Sequence, residues 1–333
     1  MFFPKLWLKS KSDKIIYAYY LLLPLTFFWR LLLKIKIYWT ISEKMPVPVI
    51  CVGNLTIGGN GKTPTALKLQ KLLENHGYST HILSKGYKSR LRGPIRVNPD
   101  IHNFMDVGDE PLMMSLHAPT WVARDRRLGI KAACQSGADV VIMDDGFQNN
   151  SVKKDFSILV VDTAVAFGNE NIIPAGPLRE PIAAGLKRAD LLITIGDELN
   201  QNEFYLKYGT LNFPKTFNAV FVQRAGNINL KGKKVVAVAG IGHPEKFFQF
   251  IRQLGAELCQ ARPFPNHKAF SHKSLEELKA LSLQENVYLV TTEKDFVRLP
   301  LKYRPFFKVL EIELAICDEK LFLRKVLEKT NLC

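Results

Sequence analysis

A glycine-rich stretch, Val49 to Thr65, carries the side chains in this sequence that are best suited to phosphate chemistry. It reads VICVGNLTIGGNGKTPT, so a β-branched apolar run ends in glycines and is followed directly by Lys62 and Thr63. The backbone N–H groups of such a loop, with the positive end of the following helix, bind polyphosphate. Lys62 can reach the β- and γ-phosphates, and the Thr63 hydroxyl can bind Mg²⁺. The pattern predicts a P-loop and therefore a nucleotide site.

One position departs from the usual P-loop pattern, because residue 56 is threonine where glycine is expected. Glycines further along the stretch supply flexibility, so we interpret it as a variant P-loop. A glycine-rich turn that binds nothing is the alternative. The predicted nucleotide-binding residues are Thr56, Ile57, Gly58, Gly59, Asn60, Gly61, Lys62 and Thr63.

Two aspartates, Asp144 and Asp145, follow the buried-strand pattern ADVVIM at residues 138–143. An acidic residue at the carboxyl end of a strand downstream of a P-loop is typical of a Walker B motif, which holds Mg²⁺ directly or through water. One aspartate can contact the metal while the other contacts a water or a neighbouring lysine. An Asp-Gly turn without function is the alternative, but behind a P-loop the pair predicts a magnesium site.

Two further carboxylates lie in the first half of the chain. Asp109 stands with Glu110 before Pro111, at the start of an apolar helix pattern, where carboxylates usually cap the helix. Glu180 follows Arg179 in a segment too rich in proline for regular structure, and such a charged pair can line a site. By themselves, these residues do not establish a catalytic role.

Two stretches in the second half also carry reactive side chains. His267 lies in the loop RPFPNHK, and a lone loop histidine is more often an ordinary surface residue. The segment TTEKD, residues 291–295, closes a strand with a cluster of charges. Either stretch can contribute to a site only if the fold brings it to the first half of the chain.

The elements that must position these groups alternate between strand and helix patterns, which predicts an α/β fold with mostly parallel sheets. The expected domains are a P-loop NTPase domain at residues 46–228 and a smaller α/β domain at 229–333. The second contains strands at 287–292 and 308–312 and a final amphipathic helix at 317–332.

The N-terminus differs from the rest of the chain in composition. Residues 1–45 carry eight basic and two acidic side chains, within a net charge of +15 for the whole sequence. The apolar run at residues 15–29 is short for a bilayer span and contains Pro24. We predict that residues 1–45 form a membrane-associating interfacial helix, with a buried core helix or a true span as alternatives.

Bulk composition narrows the function classes. With 333 residues, 47% hydrophobic and 23% charged, the chain is typical of a globular protein of two domains. Its five cysteines are scattered and include no C-x-x-C pair, which argues against a disulfide framework or a zinc site. The positive charge suits an anionic partner, either membrane lipid or nucleic acid.

Taken in order, six motifs resemble those of the tetraacyldisaccharide 4′-kinases, the lipid A 4′-kinases of lipopolysaccharide assembly. They are VGNLTIGGNGKTP, GDEP, DDGFQ, PAGPLRE, FPNHKAF and TTEKD, and they span about residues 45–300. The resemblance implies transfer of the ATP γ-phosphate to the 4′-hydroxyl of a tetraacylated glucosamine disaccharide 1-phosphate, giving lipid IVA. It also implies two α/β/α domains with the active site in the cleft between them, the first of them a P-loop kinase-type domain.

The resemblance further implies ATP and Mg²⁺ as cofactors, an acylated disaccharide lipid as substrate, and action at the cytoplasmic face of the bacterial inner membrane. It implies neither a nucleic acid nor an obligatory protein partner. By matching position, Asp109 would activate the sugar hydroxyl with His267 as its partner, and Asp144 and Asp145 would serve Mg²⁺. Lys62 would neutralise phosphate charge, and Glu180 would be an auxiliary acidic residue.

Three positions depart from the family's usual motifs. Lys85 stands where the family usually has arginine, Lys88 stands where it usually has glycine, and Asn266 stands where aspartate commonly precedes the histidine. Lysine keeps the charge but loses the planar bidentate fork of arginine. None of these changes removes a residue to which we assign chemistry.

Two other functions are compatible with parts of the sequence. One is a different membrane-associated P-loop ATPase or GTPase, although residues 292–295 have glutamate where a guanine-specificity motif requires asparagine or threonine. The other is a basic nucleic-acid-binding protein, which predicts basic side chains interleaved with stacking aromatics. The N-terminal aromatic residues instead lie in a leucine-rich run, which favours lipid.

Overall fold

The computed structural model describes Trp7 and residues 22–32, 35, 39–284 and 287–332. The first described helical stretch, α1, covers 22–32. The strands that follow are β1 (Val49–Gly53), β2 (Thr80–Ser84), β3 (Ile95–Arg96), β4 (Thr120–Val122), β5 (Val140–Asp144), β6 (Phe156–Asp162), β7 (Leu191–Ile195), β8 (Lys215–Gln223), β9 (Lys234–Ala239), β10 (Glu257–Pro263), β11 (Tyr288–Thr292), β12 (Phe307–Leu310) and β13 (Ile312–Ile316). The further helices are α2 (Lys62–Glu74), α3 (Phe104–Val107), α4 (Asp109–Met114), α5 (Arg126–Gln135), α6 (Ile182–Arg188), α7 (Glu198–Tyr208), α8 (Pro244–Gln253), α9 (His272–Gln284), α10 (Glu293–Phe296) and α11 (Glu319–Thr330), with a 3₁₀ helix at Leu301–Phe306.

Nine strands form one sheet in the order β13-β8-β7-β6-β1-β5-β2-β4-β3. The sheet is parallel except at its two ends, where β13 pairs antiparallel with β8 and β3 pairs antiparallel with β4. We call this sheet and its helices the large lobe. Its centre is β1, which pairs with β5 on one side and β6 on the other, so the P-loop and Asp144 emerge at the same edge.

Both faces of the central strand are buried, as expected for a parallel sheet between two helix layers. Ile50 and Val52 point into a core that includes Leu69 and Leu73 of α2. On the opposite face, Cys51 packs in a separate core beneath α6 and α7. The period-two alternation of a strand therefore fills two cores at once, which explains why β1 is apolar at every position except its final glycine.

The remaining four strands form a second parallel sheet in the order β10-β9-β11-β12, which we call the small lobe. Helix α8 covers one face of this sheet and α9 covers the other. The predicted fold class, two α/β/α units with mostly parallel sheets, is confirmed. Strands β3, β4 and β10 have no counterpart among the predicted strands, and β13 shares only Ile312 with the strand predicted at 308–312.

The end of the chain corrects the predicted extent of the second unit. The apolar run around residues 308–312 is divided between two sheets, because β12 pairs with β11 whereas β13 returns to pair with β8 of the large lobe. Helix α11 then packs beside α2, where Lys68 pairs with Glu319. Lys71 of α2 also lies 3.7 Å from Glu313 of β13. The small lobe is thus inserted between β8 and β13, and residues 312–330 belong with the first sheet.

The N-terminal segment is described only in part. Of the predicted apolar run at 15–29, residues 15–21 lie outside the described residues, whereas 22–32 are helical. Large apolar side chains of this stretch and of the residues after it are exposed: Leu25, Phe27, Phe28, Trp29, Leu31, Leu32, Ile35, Trp39 and Ile41. Within the described part of the chain, no helix has both the length and the apolar character needed to cross a bilayer.

Candidate active site

The P-loop has the backbone conformation that its glycines permit. Gly58 and Gly61 have φ angles of 118° and 85°, in the left-handed region that favours glycine. A Cβ atom on Gly61 would also lie 2.4 Å from the Cδ1 atom of Ile195. Thr56 has no such positive φ, so threonine is tolerated where the usual pattern has glycine.

The start of the loop is fastened to the proline-rich segment. The N–H of Ile57 donates to the carbonyl oxygen of Pro177 at 2.9 Å, and the N–H of Arg179 donates to Leu55 at 2.7 Å. The side chain of Asn60 donates to the Thr56 hydroxyl. Thr56, Ile57 and Asn60 thus shape the loop through these contacts, and the N–H of Ile57 is already engaged within the protein.

Lys62 and Thr63 begin α2 and face the carboxyl ends of the central strands. The Lys62 ammonium donates to the carbonyl of Gly58 at 3.2 Å, so it lies folded over the loop. The Thr63 hydroxyl lies 3.4 Å from Oδ2 of Asp144. A lysine, a helix N-terminus and a hydroxyl beside a carboxylate are the groups that bind a nucleoside triphosphate in P-loop proteins.

Asp144 is the more buried of the two adjacent aspartates. Burial, together with the negative charges of Glu110 and Asp145, raises its pKa to about 7. Among the described residues, its Oδ1 atom is buried and has no hydrogen-bond partner. A buried carboxylate oxygen without a donor is an oxygen ligand available to a cation.

Asp145 is held by cations of the protein itself. Its two oxygens accept from the Arg179 guanidinium at 2.8 and 3.1 Å, and Lys62 lies 3.8 Å away. Burial alone would raise the pKa of Asp145, but Lys62 and Arg179 lower it to about 2. Of the two roles predicted for the aspartate pair, contact with a neighbouring lysine is the one seen for Asp145.

Glu180 joins the same network from the proline-rich segment. Its carboxylate accepts from the Gln148 amide at 3.0 Å and from Arg188. Gln148 in turn donates to the carbonyl of Asn54 at 2.9 Å and accepts from Arg179 at 3.0 Å. Glu180 is therefore tied to the P-loop and to Asp145 through its neighbours.

His267 and Asp109 meet across the two lobes. Asp109 begins α4 in the large lobe, and its Oδ2 atom lies 2.9 Å from Nδ1 of His267, whose loop belongs to the small lobe. Burial alone would raise the pKa of Asp109, but the hydrogen bond from His267 and the charges of Lys294 and Arg298 hold it below its usual value. An ionised carboxylate can only accept, so Nδ1 of His267 carries the proton and donates.

Charged pairs hold the lobes together around this contact. Lys294 of α10 bonds to Glu110 at 2.8 Å, and the neighbouring Glu293 bonds to His117 at 2.6 Å. On the other flank, Lys246 of α8 pairs with Asp162 at the end of β6. The segment TTEKD thus docks the small lobe onto the helix that carries Asp109.

The small lobe also covers the P-loop. A Cβ atom on Gly242 would lie 3.8 Å from the backbone nitrogen of Gly59, so the turn after β9 lies directly over the phosphate loop. The two lobes therefore meet at the P-loop, where Gly242 approaches Gly59, and at the Asp109–His267 pair. This arrangement suits transfer of a phosphoryl group to an acceptor that enters between the lobes.

Two residues of the site were assigned no individual role from the sequence. Tyr87 packs against His267 with ring centroids 5.3 Å apart, and His117 bonds Glu293 at 2.6 Å. Arg179, which the sequence marked as half of a charged loop pair, bonds to Asp145. Nothing in the sequence around His117 indicates its partner.

Comparison with known proteins places these features in a family. A family model described as tetraacyldisaccharide-1-P 4′-kinase matches residues 18–331. The tetraacyldisaccharide 4′-kinase of Dinoroseobacter shibae is 46% identical over 280 residues, covering 84% of this chain and 83% of the relative. The enzyme of the same name from Rhodospirillum centenum is 42% identical over 295 residues, covering 89% and 87%.

A solved structure shares the fold. The crystal structure of LpxK from Aquifex aeolicus in complex with ATP superposes with a TM-score of 0.74 and 25% sequence identity. The superposition covers 94% of this chain and 99% of that chain. Both lobes are therefore common to the two proteins.

Proposed function

Because the chain belongs to the tetraacyldisaccharide-1-P 4′-kinase family, we propose that Asp109 and His267 activate the acceptor hydroxyl of its reaction. The protein is a kinase that uses ATP to phosphorylate the 4′-hydroxyl of a tetraacylated glucosamine disaccharide 1-phosphate in lipid A synthesis. The residue assignment depends on one observation, the 2.9 Å contact between His267 Nδ1 and Asp109 Oδ2 across the lobes.

The proposed step is an in-line displacement at the γ-phosphorus. The 4′-hydroxyl oxygen attacks the phosphorus, the bond from phosphorus to the ADP oxygen breaks, and the hydroxyl proton passes to the Asp109 carboxylate. A sugar hydroxyl is a poor nucleophile, so a positioned base helps, and the low pKa of Asp109 keeps it ionised at neutral pH. His267 orients the carboxylate through its Nδ1–H and stabilises the charge on it.

Lys62 and the P-loop act on the phosphates. The Lys62 ammonium neutralises charge on the β- and γ-phosphates, and the N–H groups from Gly58 to Thr63 orient the chain of phosphates. Phosphoryl transfer needs mainly alignment and charge neutralisation, which this loop supplies. Glu180 acts as an auxiliary residue, because through Gln148 and Arg188 it fixes the surroundings of the loop.

Mg²⁺ fits the acidic end of the site. The unpartnered, buried Oδ1 atom of Asp144 and the Thr63 hydroxyl beside this carboxylate are the residues that would hold it, with Asp145 contributing through water. When bound, the ion neutralises phosphate charge. Within the described residues no three His, Cys, Asp or Glu side chains converge as a metal cluster, and Mg²⁺ usually binds one or two carboxylates plus substrate phosphates.

Transfer of radiolabelled phosphate from γ-labelled ATP to purified tetraacyldisaccharide 1-phosphate in detergent micelles tests the activity. We expect a labelled lipid whose new phosphate lies on the 4′ position by NMR. Hydrolysis of ATP without labelled lipid would leave the P-loop assignment standing and overturn the substrate. The same assay with a disaccharide already phosphorylated at the 4′ position is the control and should give no labelled product.

We further propose that the N-terminal segment holds the protein on the cytoplasmic face of the inner membrane. Large apolar side chains of residues 25–41 are exposed, with Phe27 and Phe28 66% and 60% accessible, whereas Trp7 is buried and donates to the carbonyl of Pro174. The residues around the exposed stretch are basic. Aromatic and leucine side chains beside lysines are the composition of helices that lie in the membrane interface. This surface would also place the cleft next to an acylated substrate that resides in the bilayer.

The double substitution of Phe27 and Phe28 by serine is expected to weaken binding to vesicles that contain anionic phosphatidylglycerol by about tenfold or more. Two aromatic side chains that would lie in the membrane interface are then absent. Co-sedimentation measures this. The matched control replaces Leu199 and Leu206 by serine. These two leucines of α7 are 68% and 88% exposed, and the control should bind vesicles as the unaltered protein does. Equal binding by both double variants, or binding to oligonucleotides but not vesicles, would contradict the proposal.

A further inference from the structure

A buried ion pair in the small lobe, Asp295 with Arg298, has no step of the proposed reaction assigned to it, although the charge of Arg298 helps to hold the pKa of Asp109 below its usual value. Both side chains are 0% exposed. The second carboxylate oxygen of Asp295 accepts from the N–H of Gly240 at 2.9 Å and from the Thr292 hydroxyl at 2.7 Å. The aspartate of TTEKD is thus held from three sides, and it fixes the arginine in turn.

The guanidinium of Arg298 reaches two loops that border the cleft. Its Nη1 atom donates to the carbonyl oxygen of Lys268 at 2.9 Å, and its Nη2 atom donates to that of Gly240 at 3.1 Å. Lys268 directly follows His267. One buried side chain therefore joins the loop that carries the histidine to the turn that lies over the P-loop.

The two ends of the histidine loop, FPNHKAF, lie against each other, and Arg298 contacts one of them. Phe264 and Phe270, at the two ends of FPNHKAF, pack against each other with ring centroids 4.9 Å apart. The Arg298 guanidinium lies 5.2 Å from the centre of the Phe270 ring. His267 itself has a φ of 59°, a left-handed conformation that is uncommon for non-glycine residues.

The Asp295–Arg298 pair packs tightly against the backbone turn at Gly240. A Cβ atom on Gly240 would lie 2.4 Å from Nη2 of Arg298 and 3.0 Å from Oδ1 of Asp295. Only glycine leaves room for the pair to reach the backbone here. Any larger residue at position 240 would therefore displace the Asp295–Arg298 pair.

A buried ion pair is a poor means of increasing stability, because apolar residues of similar volume often do as well or better. Its contacts are instead directed at backbone carbonyls of functional loops. We propose that Arg298, held by Asp295, is a positioning residue that fixes the His267 loop against Asp109 and thereby sets the rate of phosphoryl transfer. The inference rests on the proposed function of the Asp109–His267 pair.

The test is a double-mutant cycle between Arg298 and His267, read out as kcat for lipid phosphorylation. Arg298→Lys keeps the charge but cannot span both carbonyls, and it should lower kcat about 10- to 100-fold, since small displacements of catalytic groups have effects of this size. In a His267→Ala background, the same substitution should cause almost no further loss, because the group it positions is gone.

Tyr303→Phe is the control. Tyr303 is a buried residue of the same lobe whose hydroxyl donates to Glu276 at 2.7 Å, so the exchange removes one polar contact outside the histidine loop and should leave kcat unchanged. If Arg298→Lys fails to fold, as judged by thermal unfolding, Asp295→Asn replaces it in the cycle, since it weakens the support of Arg298 and keeps the side-chain shape.

The outcomes separate the two proposals. An equal factor lost in both backgrounds would overturn the positioning role while leaving the Asp109–His267 pair intact. An unchanged kcat in His267→Ala alone would overturn the role of His267 in the reaction, and the positioning role with it. A large loss confined to the background that contains His267 supports both.

Discussion

Replacing Asp109 with asparagine is expected to lower kcat by about 10²- to 10⁴-fold, the usual contribution of a positioned general base. Asparagine has the same shape and still accepts a hydrogen bond from His267, so the contact between the lobes can persist while the proton acceptor is lost. The KM for ATP should change little, because Asp109 begins α4 and the phosphates lie at the P-loop. Single-turnover transfer of labelled phosphate measures this.

His267 supplies the second half of this prediction. If the two residues act as a unit, His267→Ala and Asp109→Asn together should lose no more activity than the more damaging single substitution. Additive losses would contradict the pair. Glu277→Gln, on α9 and outside the pair, is a control that should retain full activity.

The pH dependence of kcat in His267→Ala tests independently whether His267 lowers the pKa of Asp109. In the intact protein, burial raises the pKa of Asp109, while His267 and the nearby cations lower it below its usual value. Removing His267 leaves burial in place and takes away its opposing contributions, so the pKa of Asp109 rises. The acidic limb of the kcat profile should therefore move to higher pH, and an unmoved limb would assign that limb to another group.

Replacing Lys62 with methionine is expected to lower kcat by about 10²- to 10³-fold, the size of effect found when one preorganised donor to developing charge is removed. Methionine keeps most of the length and apolar stem of lysine but has no ammonium to neutralise the transferred group. The substitution also frees Asp145 from one of its two cations, since Lys62 lies 3.8 Å from its carboxylate.

Lys68→Met on the same helix is the matched control for this experiment. Lys68 points away from the loop and pairs with Glu319 of α11, so its loss removes a lysine from α2 without altering the phosphate site. Both variants should have similar melting temperatures. Equal activity of Lys62→Met and Lys68→Met would contradict the role assigned to the P-loop lysine.

Local patterns predicted the strand and helix on either side of the P-loop well. The apolar run before the glycines and the helical spacing after Thr63 are short-range signals, and both correspond to β1 and α2. The carboxyl ends of parallel strands meet at one edge, so Asp144 was expected beside the P-loop and lies in register with Val52. The tolerance of threonine at position 56 follows from a backbone angle, which the sequence alone does not specify.

Other parts depend on contacts between distant residues. Contact between Asp109 and His267, 158 positions apart, could be anticipated only through the family resemblance, since neither residue carries a local signal for the other. Strand β10 was missed because it is an edge strand with mostly exposed side chains and a terminal proline. The switch of β13 to the first sheet was missed because a continuous alternating run does not mark which sheet each half joins.

The pairing of β13 with β8 also determines when the sheet of the large lobe can be completed during synthesis of the chain. Translation proceeds from the N-terminus at about 5–20 residues per second, so residues 224–311 take on the order of ten seconds to synthesise. Throughout that interval β8 is an edge strand with unpaired backbone groups, open to pairing with other chains. The nascent chain thus carries an exposed edge until β13 emerges, and premature termination anywhere in the small lobe would leave a product prone to aggregate rather than a free nucleotide-binding domain.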